Sequence, residues 1–154
     1  MFVNHEWMRD GYVISTDPAR LDVDVIHRFL TESYWAAGVP RDVVKRSIEQ
    51  SLPFGLYTEN RQIGFARVIT DRATFAYLAD VFVLDEFRGE GLGKWLIEVV
   101  VSHPELAGLR RWMLATRDAH GLYRKSGFTE LSQPERWMEK HQPKVAADPE
   151  APSQ

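Results

Sequence analysis

Three glycines at alternate positions, Gly89, Gly91 and Gly93, stand between an apolar run and a helical period. The run Val81-Phe82-Val83-Leu84 reads as a buried strand. From Leu92 onward, Trp95, Leu96, Val99 and Val100 fall on one helical stripe. The first N–H groups of a helix have no partner within it, and the helix dipole puts partial positive charge there. Glycines remove the Cβ atoms that would hold a ligand away from those groups. Such a turn can cradle phosphate, and Arg88 and Lys94 flank it with positive charge. Glu90 carries the wrong sign for phosphate, so its side chain is expected in solvent.

The spacing excludes two common phosphate loops. A nucleoside triphosphatase loop needs Ser or Thr after its lysine, and Trp95 follows Lys94. A dinucleotide fingerprint needs Gly-x-Gly-x-x-Gly, and this turn is Gly-x-Gly-x-Gly. A glycine-rich turn that only lets strand and helix pack closely stays open as the structural alternative.

Arg88-Gly-Glu-Gly91-Leu-Gly93 resembles Arg/Gln-x-x-Gly-x-Gly/Ala, the acetyl-CoA signature of the GCN5-related N-acetyltransferases (GNAT). Leu122-Tyr123-Arg-Lys-Ser-Gly127-Phe128 is similar to that family's Leu-Tyr-x-x-x-Gly-Phe segment. The resemblance runs over residues 10–140 in element order. It implies an acetyl-CoA-dependent N-acetyltransferase acting on a primary amine of a small molecule or peptide. It implies pantetheine hydrogen-bonded to backbone along Val81, Phe82 and Val83, and pyrophosphate on the N–H groups of Arg88, Gly89, Glu90, Gly91, Leu92, Gly93 and Lys94. Tyr123 would be the general acid for the leaving thiolate. An unperturbed tyrosine, with a pKa of about 10, holds its proton at neutral pH. The structural alternative is a core tyrosine with its hydroxyl satisfied by backbone.

Acyl transfer to an amine needs no covalent enzyme intermediate, which suits a chain without cysteine. The base is less defined. Some relatives carry Glu-Asp just before the cofactor strand segment; here Ala79 and Asp80 stand there. Asp80 is the nearest carboxylate, with a structural ion pair as its other reading and loss of the proton through water as a third route. Where the family often has asparagine, seven residues before the tyrosine, this chain has Thr116. By family analogy Tyr34 and Trp35 form an aromatic wall for the acceptor, although at least one of them is expected to pack on the sheet instead. Trp112 and Trp137 are expected in the core. His120, one turn before Tyr123, reads as a plain helix residue. The remaining histidines have no ligand spacing, so no metal is expected.

The elements needed to position these residues are legible as periods. Residues 1–10 have none and read as a loose arm. Tyr12–Ser15 reads as a strand. Asp22 caps a helix running to Ala36, with Leu21 and Ile26 as a hydrophobic staple. A second helix starts after Pro40 and ends at Pro53. Strands follow at 54–59 and 63–69, with a turn at Asn60-Arg61, then a long strand at 75–84. After the glycine turn come a helix at 92–102, a strand at 111–115 and a short helix capped by Asp118 and ended by Gly127. Strands are expected at 128–131 and 136–139. The fold class is α/β: a GNAT-like mixed, mostly antiparallel sheet flanked by helices on both faces.

With 154 residues, 44% of them apolar, the chain suits one acyltransferase domain over 1–140, and a disordered tail is expected at 141–154. A net charge of −3 with mixed signs suggests neither a nucleic-acid nor a membrane partner. No signal peptide pattern opens the chain, so a cytoplasmic protein is expected. Edge pairing into a homodimer is compatible with this fold. Two other function classes stand beside the enzyme: a non-catalytic acyl-CoA-binding module, and an interaction protein on the same fold. Fold alone does not separate them.

Overall fold

In the computed structural model, which describes residues 3–142, six strands form one sheet in chain order. They are β1 (Glu6–Arg9), β2 (Tyr12–Ser15), β3 (Leu52–Thr58), β4 (Arg61–Thr70), β5 (Phe75–Val83) and β6 (Arg111–Met113). Every neighbouring pair is antiparallel except β5 and β6, which are parallel. The helices are α1 (Val23–Glu32), α2 (Arg41–Glu49), α3 (Leu92–Val101) and α4 (His120–Arg124).

Two tight hairpins build the antiparallel part. Glu59 and Asn60 have φ of 50° and 64°, the left-handed pair that a two-residue turn requires, one residue before the expected turn. Asp10 and Gly11 repeat this at 51° and 84°. The expected loose arm is therefore an edge strand, and its signal was the Asp-Gly dipeptide.

The sheet separates two apolar clusters. On one face α3 packs Trp95, Leu96, Val99 and Val100 against Phe54, Ala66, Val68, Ala76 and Leu78. On the other, Ile26 and Leu30 of α1 and Val44 and Ile48 of α2 meet Phe65 and Phe82. Each fully buried aliphatic side chain contributes about 1.5–3 kcal/mol, so these two faces hold the helices in place. Asp22 caps α1 as expected, its carboxylate accepting from the N–H groups of Asp24 and Val25.

Several boundaries differ from the sequence expectation. α1 stops at Glu32, not Ala36, because Ser33 turns extended; its hydroxyl donates to the Leu30 carbonyl and accepts from Ala36 N–H. Pro53 lies inside β3 instead of ending a helix. β2 pairs with β3 only from Gly55 onward, so no ladder bond is asked of the missing Pro53 N–H. Asp118 does not cap α4; Thr116 Oγ1 accepts from Ala119 N–H in its place. The segments 128–131 and 136–139 are not strands. Gly127 at φ 93° precedes the first, a 3-10 turn at Pro134–Arg136 takes the start of the second, and β6 is the last strand of the described residues. Trp112 packs on the core, whereas Trp137 is exposed beneath the Arg111 guanidinium. Most of the expected tail, from residue 143, lies outside the described residues. No helix among them is long and apolar enough to cross a membrane.

Candidate active site

β5 carries the feature that shapes the site. Opposite Ala66 of β4 it places two residues, Asp80 and Val81, where a regular ladder would have one. Asp80 takes φ of 56° to make this bulge, a conformation aspartate tolerates better than branched residues do. Ala76 and Leu78 face α3. Regular alternation would send Asp80 the same way, under the helix. The bulge shifts the parity, so Val81 and Val83 take the α3 side and Phe82 joins the α1 side.

The other edge of β5 opens at the same place. β6 pairs with it only from Phe75 to Tyr77. Beyond Tyr77 no strand covers that edge among the described residues, so the backbone of Leu78–Val83 has no strand partner there and faces a gap between the two strands. The gap widens into a cleft of about 1080 Å³. Of the residues expected above to act in catalysis, cofactor binding or acceptor binding, all but Glu90 line it: Asp80, Val81, Phe82, Val83, Arg88, Gly89, Gly91, Leu92, Gly93, Lys94, Tyr34, Trp35 and Tyr123. Glu90 is exposed and turns toward β2, accepting from the Tyr12 hydroxyl at 3.0 Å.

At one end of the cleft is the start of α3. Gly91 is its cap residue, left-handed at φ 78° and with no side chain to satisfy the first turn. The first closing bond runs from Trp95 N–H to the Gly91 carbonyl. The N–H groups of Leu92, Gly93 and Lys94 therefore have no backbone partner among the described residues. No atom stands within 4 Å of where a Cβ would be on Gly89 or Gly93, so both leave open space. Arg88 folds back, donating from Nε to the Val83 carbonyl at 3.2 Å and pairing with Asp85. Its side chain thus braces the turn instead of standing clear as a flanking charge.

At the other end, the chain between α1 and α2 crosses the cleft. Trp35 Nε1 donates to Asp80 Oδ1 at 3.0 Å, and Arg67 Nε donates to Asp80 Oδ2 at 2.9 Å. Tyr34 reaches the opposite bank, where its hydroxyl accepts from Arg117 N–H and its ring lies 3.9 Å beneath the Arg117 guanidinium. Neither aromatic packs into the sheet; both are exposed. Phe29, also in the wall, stacks on Phe82 with centroids 4.0 Å apart.

Tyr123 stands between the two ends. Its ring packs on the core and edge-on to Phe128, but its hydroxyl has no hydrogen-bond partner among the described residues. Burial, with a smaller effect from nearby Tyr34, pushes its pKa up to about 12. His120 is exposed on α4 and does not line the cleft.

Sequence reasoning missed Arg67 and Arg117. Arg67 carried a signal, a lone charge inside the apolar run of β4; Arg117 carried none. It also missed a histidine pair. His5, remote in sequence from His103 and Glu105, brings ligand-type atoms within 4.8 Å of theirs. His103 Nδ1 already accepts from Glu105 N–H at 3.0 Å, which leaves the ring proton on Nε2, and Arg72 pairs with the Glu105 carboxylate at 3.1 Å. That tautomer has no lone pair on Nε2 for a cation.

The similarities of the chain to known proteins agree with this geometry. The family model described as "Acetyltransferase (GNAT) domain" matches residues 49–130. FG08082 of Gibberella zeae, whose name places it among acetyltransferases, is 36% identical over 143 aligned residues, covering 78% of this chain and 80% of that protein. A crystal structure of a GNAT-family protein from Xanthomonas campestris pv. campestris is 50% identical, with a TM-score of 0.84 over 86% of this chain and 94% of the other. A Clostridium acetobutylicum protein solved with acetyl-CoA shares the fold at 15% identity, with a TM-score of 0.60 over 77% of this chain and 86% of its own. The chain belongs to the GNAT acetyltransferase family.

Proposed function

We propose that this protein transfers an acetyl group from acetyl-CoA to a primary amine of a small molecule or peptide, by direct attack. The observation that carries this reading is one cleft holding three things: an uncapped helix N-terminus, a free strand edge and an unpartnered tyrosine hydroxyl. Acetyl-CoA supplies an acetyl thioester on a pantetheine arm joined to a diphosphate. The N–H groups of Leu92, Gly93 and Lys94 suit the diphosphate, because they are unpaired and lie at the positive end of the α3 dipole. The free edge of β5 suits the amide-bearing arm as an added strand. Backbone N–H groups on that edge can also stabilise the carbonyl oxygen as it becomes tetrahedral.

Tyr123 gives its proton to the departing thiolate as the carbon–sulfur bond breaks. Asp80, expected as a base, has one oxygen on Arg67 and the other on Trp35. We therefore assign it to positioning: it holds Trp35 against the bulge and fixes the acceptor wall. The amine proton leaves through water. Titration calorimetry with acetyl-CoA, followed by thiol release over a panel of amines and peptides, tests the reading. Binding together with amine-dependent thiol release supports it. Binding without release over the whole panel would favour the acyl-CoA-binding module, to which the occupied Asp80 already lends some support. No binding at millimolar acetyl-CoA would overturn both.

A further inference from the structure

We infer that the acceptor is a primary amine that also carries an anionic group, a carboxylate or a phosphate, received by Arg117 at the mouth of the cleft. This rests on the reading that acetyl-CoA fills the glycine end. Five basic residues line the cleft, Arg67, Arg88, Lys94, Arg117 and Lys125, against two acids, Asp80 and Asp118. Arg88 and Lys94 belong to the glycine turn and the first turn of α3, where the diphosphate would lie. Arg67 and Arg117 stand at the far end, on either bank beside Trp35 and Tyr34.

Both acids at that end are matched. Asp80 is shielded and pairs with Arg67; Asp118 pairs with Arg117. Among the described residues no unpaired carboxylate faces the chamber, so a diamine or polyamine would find nothing there to receive its second charge. The two arginines differ in how they are held. Arg67 spends Nε on Asp80 and Nη1 on Ser51, at 2.9 and 3.1 Å. Arg117 is oriented chiefly by the Tyr34 ring, since its contact with Asp118 is 3.4 Å long and both side chains are more than 60% exposed. An exposed pair of that kind contributes little and exchanges readily. A stacked guanidinium keeps its edge free, and that edge matches a carboxylate or phosphate through two parallel hydrogen bonds. The ring beneath it lines the same cleft as Tyr123. An acceptor anchored on Arg117 therefore has its amine directed along the wall toward the reacting carbonyl.

The test uses matched amines: L-phenylalanine against 2-phenylethylamine, and O-phosphoethanolamine against ethanolamine, with spermidine as the polycation. Thiol release is expected to give kcat/KM at least about tenfold higher for the anionic member of one pair, the scale of one charge-assisted contact. Which pair responds distinguishes carboxylate from phosphate. Arg117→Ala should collapse that preference, mainly through KM, and Arg117→Lys should restore part of it. The exposed position of Arg117 makes loss of fold an unsuitable explanation, and the N–H bond to Tyr34 survives the change. Three outcomes would overturn the proposal: preference for the members that lack the anionic group or for spermidine, no turnover of either anionic amine, or a preference unchanged in Arg117→Ala. Calorimetry with acetyl-CoA separates these from failure of the cofactor reading, which alone would show as lost binding.

Discussion

Tyr123 keeps a bare hydroxyl in a half-buried setting, and that combination suits the acid role proposed for it. Its pKa, raised to about 12 by burial first and Tyr34 second, holds the proton throughout the neutral and mildly alkaline range. Tyr123→Phe should lower kcat by about a hundredfold or more, the usual scale of a positioned acid, while acetyl-CoA affinity stays close to the parent value. The alkaline side of the kcat–pH profile should show no fall from Tyr123 below about pH 10, since a raised pKa preserves the protonated form. Unchanged turnover in the variant would remove it from the mechanism. Tyr123 was legible in sequence because a motif fixed its place on a short helix. The role of Asp80 was not. Strand alternation predicts one face for it, and a bulge, visible only through the register with β4, gives it another.

The strand-turn-helix unit around Gly91 makes the cofactor reading testable through two glycines that act differently. Gly91 is left-handed at φ 78°, so a side chain there costs about 1–2 kcal/mol of stability, and Gly91→Glu should also abolish acetyl-CoA binding by charge and bulk. Gly93 is an ordinary helical residue with open space where its Cβ would stand. Gly93→Ala should raise stability by up to ~1 kcal/mol through helix propensity, yet weaken acetyl-CoA binding by crowding the free N–H groups. Denaturant titration and calorimetry on the same variant read the two effects separately. A stabilised Gly93→Ala that binds acetyl-CoA as well as the parent would show that the cradle is not used. This unit was legible because glycine spacing and a change of period are local signals. The short strand β6 was harder. Only three of the five residues expected in it pair, and its separation from β5 beyond Tyr77 is what opens the cleft.

Across the whole molecule, His103 ties together parts remote in sequence. It is 1% exposed, with rings of His5 and Trp7 from the N-terminal segment and Phe54 from β3 around it. Burial, followed by the neighbouring His5, pushes its pKa below the ordinary histidine value. The folded state thus favours the neutral ring, and the unfolded chain takes up the proton first as pH falls. Its contribution is complete above about pH 6.5 and is lost as pH drops from there toward the folded pKa. The Tm should decline between pH 7 and pH 5, and His103→Phe should flatten that decline; an unchanged slope would assign it to other groups. By itself, the sequence determined the glycine cradle, the order of most elements, the candidate acid and the family, because turn chemistry and apolar period are written in neighbouring residues. Only the tertiary structure decided the edge strand docked by His5 and His103, the bulge that turns Asp80 onto Arg67, and the arginine stacked on Tyr34. Each of these depends on which strands and loops come to lie side by side, and residues dozens of positions apart carry no local mark of meeting.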